Sequence, residues 1–140
     1  MASGKQILAD FTRETGFARK LVGINIVSAD PGRLAAFYRD VLGADVCEEH
    51  GGPQRIELWF GPRDERTVWI TVNHDPAFVP RTYQACQGLE FRVADVDAEY
   101  ARIRALGVPV AAPPADLPWG FRFFHVADPD GNGIDLVQKL

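Results

Sequence analysis

With 140 residues the chain has the length of one ordinary domain, and its content of 46% hydrophobic and 24% charged residues is that of a globular protein with a real core. Fifteen Lys and Arg against nineteen Asp and Glu leave a net charge of −4, and no basic run is present, which argues against nucleic acid and anionic membrane surfaces as partners. No apolar run reaches the ~20 residues of a membrane helix, the N-terminus lacks a signal-peptide core, and Cys47 and Cys86 show no CxxC spacing, so the expectation is a reducing cytoplasm with free thiols.

Residues 1–20 read as an N-terminal extension. Ile7, Leu8, Phe11 and Phe17 fall on one side of a helical pattern, which predicts a short helix or a partly ordered arm. Its apolar stripe has to be covered by the domain or by a partner subunit. The first strong unit starts at Leu21, where LVGINIVS alternates as a half-buried strand with Ile24 and Ile26 on one face and Gly23, Asn25 and Val27 on the other. Asp30 then caps a helix, Pro31 suits its first turn, Leu34, Phe37, Tyr38, Val41 and Leu42 recur at helical spacing, and Gly43 closes it. Strands are expected at about 44–48, 54–60 and 67–73, separated by Gly-rich and Pro-containing turns.

Residues 74–87 lose all periodicity and form a linker. Beyond them the order of elements returns: GLEFRVAD matches GINIVSAD, and a helix over 96–106 ends at Gly107 as its counterpart ends at Gly43. Strands are expected at 108–110, 121–126 and 133–138. The last two form a hairpin, FRFFHVADPDGNGIDLV, whose Asp-Pro-Asp-Gly-Asn joint is dense in turn formers. The domain over 21–140 is therefore an internal repeat, with copy one at about 21–73 and copy two at about 88–139, each β-α-β-β-β. In each copy one helix covers one sheet face, which leaves the other faces free to curve around a cleft.

The segments GINIVSADPGRLAAFYRDVLG, GLEFRVADVDAEYARIRALGV and PWGFRFFHVADPDGNGIDLVQ resemble the vicinal oxygen chelate superfamily, which includes glyoxalase I, fosfomycin-resistance proteins, extradiol dioxygenases and bleomycin-resistance proteins. The resemblance covers about residues 21–139. It implies an α+β fold in which the two repeats form a curved, half-barrel mixed sheet around a cleft, and it implies a homodimer, since the superfamily builds or completes its clefts by pairing modules. Metal-using members place four ligands in the cleft, one early in the first strand of each repeat and one on a later strand of each. Carried over, the first-strand positions fall on Gly23 and Gly88, which have no donor, and the later ones on Glu57 and Asp135. Two carboxylates alone hold a hard cation weakly, so the usual metal chemistry is in doubt.

Strand alternation puts His125 on the face of Asp135, so Glu57, His125 and Asp135 are a candidate 1-His-2-carboxylate metal site, a metal-free acid–base set, or plain polar lining of the cleft. Asn25, Trp59, Trp69, Thr71, Glu90 and Arg92 are expected on the same cleft faces. Glu90 and Arg92 read as a structural ion pair or as an Arg that grips an anionic group; Trp59 and Trp69 read as packing or as stacking surfaces for a flat or cationic ligand. Trp119, in AAPPADLPWG, reads as a flap at the cleft mouth or a turn anchor. His50 and His74 read as exposed loop residues, and no nearby His or basic pattern activates Cys47 or Cys86. The expected function is metal-independent binding of a small, partly aromatic molecule, as in bleomycin-resistance-like sequestering proteins, with no cofactor and a second copy as partner. The competing expectation is a lyase, isomerase or oxygenase that uses Glu57, His125 and Asp135 with or without one divalent metal.

Overall fold

The computed structural model describes residues 1–82 and 88–140, so the expectation for Cys86 lies outside the described residues. The chain opens with helix α1 (Gly4–Thr15), where the Ser3 hydroxyl accepts the Gln6 N–H at 3.2 Å. No α1 residue is buried, and Ile7, Leu8 and Phe11 stand exposed, so the other described residues leave this apolar stripe uncovered.

Repeat one follows as β1 (Gly23–Ser28), α2 (Pro31–Leu42), β2 (Asp45–Cys47), β3 (Arg55–Trp59) and β4 (Trp69–His74). The Asp30 carboxylate accepts the Arg33 N–H at 3.1 Å, which fixes the start of α2. At the other end Gly43 takes φ 73°, a left-handed turn that costs a glycine little, and its N–H returns to the Arg39 and Tyr38 carbonyls. Between the caps, Leu34, Ala35, Tyr38 and Val41 make the buried face. The sheet runs β1-β4-β3-β2, with β1 parallel to β4 and the other pairs antiparallel.

Repeat two has the same plan: β5 (Leu89–Arg92), α3 (Val96–Ala105), β6 (Ala115–Leu117), β7 (Phe121–Ala127) and β8 (Gly133–Lys139), in the order β5-β8-β7-β6. One strand departs from the sequence reading. Val108 and Val110 pack on the core from a loop, and the edge strand forms instead at Ala115–Leu117, where Ala115 pairs with Phe123 and Leu117 with Phe121. Pairing with β7 decides its place over local preference.

The helix-covered faces of both sheets meet in one core. Leu34 and Tyr38 of α2, Ile56 and Leu58 of β3, Val72 of β4, Ile103 of α3, and Phe124, Ile134 and Leu136 of the second hairpin belong to a single cluster. Burying each such side chain stabilises the fold by roughly 1.5–3 kcal/mol relative to leaving it exposed. Across the repeats, Phe60 and Phe91 pack at 4.7 Å between ring centroids, and Arg102 Nη2 donates to the Val41 carbonyl at 2.7 Å. Alternation sends the remaining strand residues to the opposite faces, so Trp59, Cys47 and Val137 are buried yet lie outside the core cluster. Among the described residues, no helix is long and apolar enough to cross a membrane.

Candidate functional site

The outer face of the first sheet gathers Asn25 of β1, Trp69, Thr71 and Asn73 of β4, Arg55, Glu57 and Trp59 of β3, and Cys47 of β2. Cross-strand pairing sets them side by side: Asn25 opposes Thr71, Thr71 opposes Glu57, and Glu57 opposes Cys47. Trp59 and Trp69 rest on each other at 4.9 Å between centroids, tilted by 34°. Glu57 is buried, and its carboxylate accepts Arg55 Nη1 at 2.9 Å and Trp59 Nε1 at 3.3 Å. His50 Nδ1 lies 3.4 Å from the same carboxylate. Burial by itself would raise the Glu57 carboxyl, but the hydrogen bonds from Arg55, Trp59 and His50 outweigh it and hold it below the usual carboxylate range.

On the outer face of the second sheet, His125 of β7 opposes Asp135 of β8, and the ring Nδ1 is 2.6 Å from Asp135 Oδ1. Asp135 reaches the floor of a pocket of about 280 Å³. Aromatic and aliphatic groups from Leu89, Leu117, Trp119, Phe121 and Phe123 form most of its wall, and Glu90 adds a second carboxylate. Trp119 is among the residues that line it, with 70% of its surface exposed. His125 is not among the residues that line the pocket. Glu90 and Arg92 form no ion pair among the described residues, and both are exposed, so the expected structural pair is not made.

Residues 20–136 match the family described as the Glyoxalase/Bleomycin resistance protein/Dioxygenase superfamily. The chain belongs to that superfamily. It is 28% identical over 131 residues to the uncharacterized protein YraH of Bacillus subtilis, covering 86% of this chain and 99% of YraH. Among solved structures, lactoylglutathione lyase from Agrobacterium tumefaciens superposes with a TM-score of 0.62 at 23% identity, over 84% of this chain and 91% of that one. TioX from Micromonospora sp. ML1 superposes with a TM-score of 0.64 at 22% identity, over 87% of this chain and all of that one, 100%. Likeness at these identities shows the vicinal oxygen chelate fold.

Within that fold the strand registers correct two expectations. Ile24 pairs with Ile70 and Leu89 with Ile134, so Thr71 is the counterpart of Asp135, and Glu57, which opposes Thr71, is the counterpart of His125. Glu57 therefore does not hold the later-strand ligand position of repeat one. Nor do Glu57, His125 and Asp135 converge: Glu57 sits in the first sheet and the His125–Asp135 pair in the second, and the one close group of three possible ligands among the described residues is Cys47, His50 and Glu57. Trp59 and Trp69 likewise belong to the first sheet and do not line the pocket.

A Cβ on Gly23 would lie 2.8 Å from Trp69 Nε1, so the indole already fills the space a ligand side chain would need. At Gly88, with φ +113°, a Cβ would overlap the Gly133 carbonyl oxygen. Gly88 is thus closed to a side chain, at Gly23 the indole of Trp69 would have to move aside to admit one, and Thr71 offers a neutral hydroxyl where a carboxylate would be wanted. The residues present do not fit the family's metal at its usual place.

Sequence reading missed His50 and Cys47. It separated them because His50 sits in a glycine-rich turn and Cys47 on a strand, yet the signal was present: only two residues lie between them, and the hairpin brings Glu57 opposite Cys47.

Proposed function

We propose that this protein binds a small, partly aromatic organic molecule in the pocket of the second sheet, without a metal in that pocket. The observation that carries the reading is the pocket itself, a largely aromatic wall beside one buried carboxylate, Asp135. Its volume of about 280 Å³ is at the lower end of small-molecule sites, which run from ~300 to ~1,000 Å³, so the ligand is a compact one or two ring system. Asp135 and Glu90 favour a ligand with a cationic or hydrogen-bond-donating group. Glycine at both first-strand positions, Gly23 and Gly88, which leaves no donor there, supports metal-independent binding. Cys47 is a free thiol and the two cysteines of the sequence show no CxxC spacing, which supports placing the protein in the cytoplasm.

A second reading, a lyase, isomerase or oxygenase, draws support from one feature. His125 and Asp135 have the arrangement of an imidazole base oriented by a carboxylate. The pocket presents Asp135 and not His125, however, so the group a ligand meets is the carboxylate, and binding is favoured over proton transfer by the ring.

Titration of chelator-treated protein with a panel of planar cationic aromatics, read by tryptophan fluorescence, tests the proposal. Quenching is expected with unchanged affinity before and after chelation. Trp119→Ala should weaken binding roughly fivefold or more, about 1 kcal/mol, and Asp135→Asn should cost a cationic ligand about 1.5–3 kcal/mol. Trp59→Ala should leave affinity unchanged. Turnover of a ligand that disappears in His125→Gln while binding persists would favour the enzyme instead.

A further inference from the structure

We propose that Cys47, His50 and Glu57 form a site for a borderline divalent cation of the Zn²⁺ class, on the first sheet and apart from the ligand pocket. One ligand atom from each residue lies within 4.8 Å of the other two. The hairpin of β2 and β3 makes the arrangement: Cys47 and Glu57 are direct cross-strand partners and share a face, and the turn between them folds His50 back over that face.

The distances suit an ion better than a hydrogen bond. At 3.4 Å, His50 Nδ1 and Glu57 Oε2 are at the long limit for a hydrogen bond. A tetrahedral Zn²⁺ with bonds of ~2.0–2.2 Å to nitrogen and oxygen and ~2.3 Å to sulfur sets its ligand atoms about 3.3–3.6 Å apart. The nitrogen and oxygen already have that spacing, and the 4.8 Å bound leaves the sulfur a shift of at most about 1.2–1.5 Å. A thiolate, an imidazole and a carboxylate are the donors Zn²⁺ and Co²⁺ take readily and Mg²⁺ or Ca²⁺ do not. Thiolate and carboxylate together match the charge of the dication.

The surroundings hold the carboxylate for this role. Arg55 Nη1 fixes Glu57 Oε1 at 2.9 Å, which leaves Oε2 turned to His50, as outer partners of metal ligands commonly do. Trp59 Nε1, 3.3 Å from Oε2, is the weak bond that an ion would replace. Cys47 and Glu57 form a buried base while 65% of the His50 side chain is exposed, so the fourth position opens to water. The site lies on β2, β3 and their turn, whereas the superfamily's usual ligand positions in this repeat are Gly23 and Thr71 on β1 and β4.

The test is titration of the metal-stripped full chain with Co²⁺ and then Zn²⁺. One Co²⁺ per chain is expected, with a thiolate-to-cobalt charge-transfer band in the near ultraviolet that Zn²⁺ abolishes by displacement. His50 is exposed, so His50→Gln should fold as wild type by circular dichroism and lose at least ~10-fold in Zn²⁺ affinity. Cys47→Ser should lose the charge-transfer band, and His74→Gln, an exposed histidine elsewhere, should bind as wild type. Absence of saturable binding, binding without the sulfur band, or wild-type affinity in His50→Gln would overturn the proposal. Ligand titration at the pocket is a separate readout, and its outcome leaves this one unaffected.

Discussion

Tyr38 ties the two repeats together through one hydroxyl. It is fully buried on α2, and it donates to Asp128 Oδ2 in the β7–β8 turn at 2.6 Å. Asp128 also accepts the backbone N–H groups of Asp130 and Asn132, each at 2.9 Å, and Asn132 Nδ2 at 2.7 Å. Burial pushes the Asp128 carboxyl above its ordinary value, and the hydrogen bonds, the one from Tyr38 foremost, pull the other way. Burial, with the neighbouring Asp128 charge, also pushes the Tyr38 phenol far up, so it remains a donor at any working pH. Tyr38→Phe leaves a buried carboxylate short of one partner, and a loss of about 1–3 kcal/mol is expected in urea unfolding at neutral pH. The sign of its pH dependence follows from which form the hydroxyl favours. Tyr38 stabilises ionised Asp128, so the gap between wild type and variant should be full above the raised Asp128 value and shrink as pH falls through it. A gap that widens in acid would mean that the bond is made to the protonated acid.

At the scale of elements, caps have unequal consequences. Asp30 and Asp95 start the helices that cover the two sheets, accepting from Arg33 N and Ala98 N, whereas Ser3 starts a helix with no buried residue. Asp30→Ala or Asp95→Ala should lower global stability by ~1 kcal/mol, while Ser3→Ala should reduce helicity and leave the unfolding midpoint in place. Paired circular dichroism and urea titrations check this. These caps, with Pro31 and Gly43, are also why α2 could be read directly from the sequence: local chemistry determines its ends. The second hairpin was legible for a similar reason, since ten residues around a tight turn bring His125 to Asp135. Repeat one was not. The loop between β3 and β4 differs in length from that between β7 and β8, so counting could not show that Thr71 and not Glu57 corresponds to Asp135, and residue type misled. Edge strand β6 was missed because its pairing with β7 outweighs the branched residues at Val108 and Val110. The crowding of Gly23 by Trp69, forty-six residues on, is a tertiary fact that no local pattern carries.

For the whole molecule, one shared core leaves two outer faces of different character, a pocket with an aromatic wall on the second sheet and a polar cluster on the first. The exposed stripe of α1 remains to be covered, and a second copy is the partner we propose for it. Light scattering should give twice the chain mass, and deletion of residues 1–20 should return a monomer; a monomeric full chain would remove that role from α1. The location of the ligand bears on the central claim most directly, and amide chemical shifts followed through a titration with a planar cationic aromatic report it residue by residue. The largest changes are expected at Leu89, Glu90, Leu117, Trp119, Phe121, Phe123 and Asp135, with Asn25, Glu57 and Thr71 unmoved. Changes confined to Asn25, Glu57, Trp59 and Thr71, with the second sheet silent, would contradict the account.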